Sequence, residues 1–142
     1  MRTSRLPFLV LAAASLLSLP ALADRTPSPA GAEVYIVSPK DGAKVKSPVT
    51  VVFGLKGMGI APAGIKFDNT GHHHLLVDAD PPADLSKPLP ADEHNVHFGK
   101  GQTETSLTLS PGKHTLQLLL GDHLHVPFDP PIASSVVTIE VQ

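Results

Sequence analysis

The chain has 142 residues, with 11 Lys and Arg against 13 Asp and Glu, a formal charge of −2. That balance lacks the basic excess of a nucleic-acid-binding surface and argues against nucleic acid as a partner. The chain has no cysteine, which excludes disulfides, thiol redox chemistry, blue copper centres and cysteine-based structural zinc.

The first five residues carry Arg2 and Arg5 and no acid, and residues 6–19 form an apolar run broken only by Pro7, Ser15 and Ser18. With small residues at Ala21 and Ala23, the pattern reads as a cleavable signal peptide over residues 1–23, with the mature chain starting at Asp24. The run is short for a membrane span, so no span is expected after cleavage and the destination is the periplasm or the medium. Cleavage leaves 119 residues, enough for one modest domain with a single core. Because Arg2 and Arg5 are lost, nine Lys and Arg then face 13 Asp and Glu, a charge of −4.

Residues 24–32, rich in Pro, Ser and Ala, read as a flexible tether to a domain spanning residues 33–142. A first strand is expected over residues 33–37, followed by a Pro–Asp–Gly turn ending at Gly42. Val49, Val51, Phe53 and Leu55 alternate along a second strand, which Gly57 and Gly59 end. Residues 72–78 form a third strand. Residues 103–109 form a fourth, with Leu107 and Leu109 inward. Residues 113–120 form a fifth, with Leu116, Leu118 and Leu120 on one face, and residues 136–141 close the chain with Val137, Ile139 and Val141 inward. Beyond the signal no window keeps helical periodicity, and 15 Pro and 11 Gly interrupt the chain too often for long helices. The expected fold is all-β, an immunoglobulin-like antiparallel β-sandwich of six to seven strands, with a closed barrel as the alternative. The connection over residues 79–95 holds Pro81, Pro82, Pro88 and Pro90. It is long for so small a domain, and fits either a functional loop or a cover over a sheet edge.

Two stretches are more specific than the periodicity. One is Asn69-Thr-Gly-His-His-His-Leu-Leu-Val-Asp78. The other runs from His97-Phe-Gly-Lys-Gly-Gln-Thr-Glu104 through Pro111-Gly-Lys-His-Thr-Leu-Gln-Leu118 to Gly121-Asp-His-Leu-His-Val-Pro-Phe-Asp-Pro-Pro131. In their order they resemble the bacterial family called domain of unknown function 4399, over roughly residues 33 to 142. The resemblance implies an exported β-sandwich and no established activity. Residues 111–116 also resemble the turn and following strand of bacterial immunoglobulin-like domains, in which a Tyr commonly stands at the place of His114; this implies fold alone.

The eight His outnumber the five Phe and one Tyr together, and all lie between His72 and His125. Imidazole is the commonest metal ligand and the side chain that titrates nearest neutral pH. Alternate residues of a strand share a face about 6.5 Å apart, so His72 and His74 can converge on one ion while His73 points into the core with Leu75 and Val77. His123 and His125 repeat that spacing. Two such pairs would offer four nitrogens, a set suited to Cu(II) or Zn(II), with His94 and His97 as additional ligands. The alternative is that these imidazoles hydrogen-bond to turn carbonyls and carboxylates. His114 aligns with Leu116 and Leu118 and reads as a structural hydrogen-bonder, whereas Asp78, Asp122 and Asp129 can orient imidazoles or cap turns.

Enzyme readings find little support. Glu93-His-Asn-Val-His97 has the wrong order for the zinc-protease helix, and no nucleophile elbow or phosphate loop occurs. The functional expectation is a periplasmic or secreted, non-enzymatic module that binds copper or zinc as a carrier or buffer. An envelope module that binds protein or glycan is the alternative, and a superoxide-dismutase-like enzyme a further one.

Overall fold

A computed structural model describes residues 24–142, and the stretch read as a signal peptide lies outside the described residues. Among the described residues there are nine strands and no helix. They are β1 (Glu33–Ser38), β2 (Ala43–Val45), β3 (Val49–Lys56), β4 (Gly59–Ile60), β5 (Thr70–Val77), β6 (Asn95–His97), β7 (Glu104–Leu107), β8 (Gly112–Gly121) and β9 (Val137–Val141). One sheet has the order β1-β3-β7. The other has the order β2-β9-β8-β5-β4, with β6 also paired to β5. The chain crosses repeatedly between the sheets, which gives the Greek-key connectivity of an immunoglobulin-like sandwich.

The six strands expected from the sequence are β1, β3, β5, β7, β8 and β9. The three additional ones are only two or three residues long, too short for a period of two to declare itself.

The core lies between the sheets. Val34, Ile36, Val51 and Phe53 on one side meet Leu75, Val77, Leu116, Leu118, Leu120 and Ile139 on the other. Leu107 is only partly buried against this cluster, because β7 is the edge of the smaller sheet.

β5 is buried on both faces from Gly71 to Val77, as is its neighbour β8 over residues 118–121. Its core face carries His73, Leu75 and Val77, and its outer face carries His72, His74 and Leu76. Leu76, Leu119 and Leu89 are buried apart from the main core. Leu89 comes from the Pro-rich connection, and its N–H donates to the carbonyl of His125 at 2.9 Å. The long loop and the segment around His125 thus meet over the outer face of the larger sheet. Residues 24–32, read as a tether, run beside that same segment, with Ser28 N–H donating to Asp129 O and Asp129 N–H to Thr26 O, both at 2.9 Å.

Leu118 is fully buried at the centre of the sandwich. Leu118→Ala is expected to cost about 2–5 kcal/mol, measured by urea unfolding. A loss below about half a kcal/mol would contradict this packing.

Candidate metal centre

Strand pairing brings the first three imidazoles together. His72 and His74 share the outer face of β5, and in the adjacent β6 His97 stands directly opposite His74. On the other side of β5, His72 faces Gly121. Glycine leaves that ring its room, since a Cβ at residue 121 would lie 3.0 Å from His74 Nε2, a tight contact from which the ring would have to shift. The fourth ring arrives from beyond β8. After Gly121 the chain turns, and His125 takes φ 67°, a left-handed conformation held by its surroundings.

The four rings pack as one group. Centroid separations are 4.9 Å for His72–His74, 5.0 Å for His72–His97, His72–His125 and His74–His97, 4.7 Å for His97–His125 and 6.0 Å for His74–His125. His72 Nε2 lies 3.1 Å from both His125 Nδ1 and His74 Nε2. One ligand atom from each of the four residues falls within 4.8 Å of all the others. An ion bound tetrahedrally at 2.0–2.1 Å holds its nitrogens roughly 3.3 Å apart, so the two pairs at 3.1 Å already stand near that spacing, while a pair as wide as 4.8 Å would have to close by about 1.5 Å around the ion. This cluster could hold a metal ion.

Proton counting shows how poorly the four rings satisfy one another. A neutral ring nitrogen either donates once or accepts once, so His72 Nε2 cannot complete good hydrogen bonds to both neighbours. Nδ1 of His72, Nδ1 of His74 and Nε2 of His97 are buried and have no hydrogen-bond partner. Each such orphaned group costs about 1–3 kcal/mol. A cation takes a lone pair from every ring at once, which no exchange of protons among the four can match.

Burial sets the protonation state. His72 is pushed down to about 4, first by burial and then by the neighbouring His125 and His97. His74 falls to about 3, through burial and then His72. His97 is lowered by burial and by His125. The neutral, ligating form of these three is therefore the resting one at neutral pH.

Of the six candidate ligands, the fold brings His72, His74, His97 and His125 together and leaves His123 and His94 outside. The strand alternation assumed for His123 and His125 does not apply, because residues 122–126 form a turn built on Asp122. The Asp122 Oδ1 accepts from the N–H groups of Leu124 (2.8 Å) and Val126 (3.0 Å). His123 instead lines a cavity of about 340 Å³ with Thr26, Ile65, Phe67 and Phe128. His94 ties the end of the Pro-rich loop to β5, its Nδ1 donating to Val77 O at 2.9 Å.

The other two histidines have separate roles. His73 packs in the core at 5.0 Å from the Phe53 ring, with neither nitrogen hydrogen-bonded, and burial lowers it to about 4. At the opposite end of β8, His114 donates through Nδ1 to Asp78 Oδ2 (2.7 Å) and through Nε2 to Ser110 O (2.9 Å). Both partners only accept, which favours the charged ring, and its pKa is raised, by Asp78 first and Ser110 second. Burial pushes Asp78 up, but the hydrogen bonds from His114 and the Thr115 amide outweigh it and leave the carboxyl lowered.

A family model described as Domain of unknown function (DUF4399) matches residues 51–142, and the chain belongs to that family. No curated protein gives a significant match. Among solved structures, a fibronectin(III)-like module of Clostridium thermocellum CbhA is similar at 14% identity, over 76% of this chain and 92% of that one, with a TM-score of 0.37.

The buried histidines carry a pH dependence for the metal-free domain. Unfolded imidazole takes up its proton near pH 6.5, whereas folded His72, His73 and His74 resist until about 4, 4 and 3. Between those limits the unfolded chain binds more protons, so stability falls as the pH drops. His114 acts oppositely: its contribution is complete below about 6.5 and is lost as pH rises through its raised value. Asp78 contributes above about 3.9 and loses that as pH falls through its lowered value. Three groups outweigh one, so the urea midpoint is expected to fall between pH 7 and 4.5; a midpoint that rises would contradict the assignment.

Proposed function

We propose that this member of the domain of unknown function 4399 family is an exported module that binds one copper or zinc ion through His72, His74, His97 and His125 and acts as a carrier or buffer of that metal. The observation that carries the reading is the convergence of four mutually packed imidazoles, whose inner nitrogens satisfy one another incompletely. An all-imidazole donor set suits Cu(II) or Zn(II). The floor of the site, His72 and His74, is fully buried, whereas the residues His97 and His125 are half-buried. A buried floor with two less buried ligands suits a metal that must be taken up and handed on. The charged and apolar order of residues 1–23 supports delivery to the periplasm or medium, where Asp24 would begin the mature chain.

Competition titration of the metal-free mature chain with Cu(II), Cu(I) and Zn(II) tests the proposal. One ion per chain is expected, with tight binding lost in the double variant His72→Ala/His74→Ala, weakened in His125→Ala, and unchanged in His94→Ala and His123→Ala. Equal loss in His123→Ala and His125→Ala would contradict the assigned ligand set, and a wild-type chain that takes up none of these ions would sink the proposal.

A further inference from the structure

His125 is the one member of the cluster that no strand carries, so its place depends on whatever holds the turn at residues 122–126. Asp122 is at the centre of that turn and is only 5% exposed. Its Oδ1 takes the amides of Leu124 and Val126, its own N–H donates to Val126 O (2.9 Å), and its carbonyl accepts from the His125 N–H (2.9 Å). The other carboxylate oxygen, Oδ2, accepts from the Thr26 hydroxyl at 2.6 Å. Thr26 belongs to the segment that precedes the sandwich.

That segment is fastened along the whole loop. Arg25 Nε donates to Pro127 O at 3.0 Å, its Nη2 to Phe128 O, and its Nη1 lies 3.4 Å from Asp129 Oδ1. The backbones of Thr26 and Ser28 bracket Asp129, as described above. From within, Phe128 anchors the loop in the core, close enough that a Cβ on Gly71 would lie 3.0 Å from its ring.

We infer that Thr26 and Asp122 are positioning residues for the four-histidine centre, and that residues 25–28 form a clamp that sets its metal affinity. The inference rests on the metal-binding reading above. A non-glycine residue stays at φ 67° only while its neighbours over-determine it. Without the Thr26 hydroxyl, the nearly buried Asp122 carboxylate loses a strong partner and turns toward water, which slackens the two Oδ1 bonds that shape the turn. His125 then relaxes, and its Nδ1 leaves the position 3.1 Å from His72 Nε2. Three ligands on strand-bound floor and edge remain, so the site weakens without disappearing.

The test compares Thr26→Val, Thr26→Ser and Arg25→Ala with the wild-type chain, using Zn(II) and Cu(II) as probes, competition titration for affinity and electron paramagnetic resonance of the Cu(II) form for the number of bound nitrogens. Thr26→Val is expected to lower affinity about 10- to 100-fold, the usual effect of removing an outer hydrogen-bond partner, and to change the signal from four bound imidazoles to three. Thr26→Ser, which keeps the hydroxyl, is expected to restore both. Arg25→Ala loosens the clamp from its other end, leaves Asp122 untouched, and is expected to lower affinity by a smaller factor. Wild-type affinity and spectrum in a folded Thr26→Val overturn the inference, while the metal reading stands; if that variant fails to fold, an unchanged Arg25→Ala overturns it instead. A wild-type chain that binds neither ion overturns both readings together.

Discussion

Strand β5 is covered on both faces, so every imidazole it carries is removed from water whichever way it points. Much of the molecule follows from that constraint. On the inner face the single ring of His73 is absorbed by tilted packing against Phe53, at the expense of two unbonded nitrogens. On the outer face the rings of His72 and His74 meet two more imidazoles, and the cover that excludes water from them is made by the Pro-rich loop at Leu89 and the turn at residues 122–126. Gly121 completes the arrangement by leaving empty the place where a side chain would strike His74.

The sequence made β3, β8 and β9 legible because each carries apolar residues at alternate positions toward one core, whereas β5 shows no such period because it is buried on both faces. It also showed that His72 and His74 share a face and that His73 does not, since alternation within one strand needs no knowledge of partners. What could not be read locally was set by pairing and by turns. β6 has three residues and becomes a strand only because β5 lies beside it, so the opposition of His97 to His74 is a fact of register. The spacing of His123 and His125 imitates a strand. The signal against that reading is Asp122, a residue type that caps turns by accepting backbone amides two and four positions on, as it does here.

The histidines also divide by electrostatic role. The two acceptors around His114 favour its charged form at one end of the sandwich, whereas His72, His74 and His97 are kept neutral at the other by burial and by the neighbouring rings of the cluster. Neutral imidazole is the form that offers a lone pair, so the site is prepared for a cation at the pH where an exposed histidine would already be partly protonated. On the proposed reading, this preparation is the function: the domain holds converging neutral imidazole nitrogens that cannot all satisfy one another by hydrogen bonds, so that a metal ion can take their lone pairs.

X-ray absorption at the metal edge of the loaded wild-type chain tests that claim most directly, because it counts ligands and measures bond lengths at the ion itself. The account requires four imidazole nitrogens at about 2.0 Å for Zn(II). A coordination sphere with two or fewer imidazoles, completed by oxygen atoms, would contradict it.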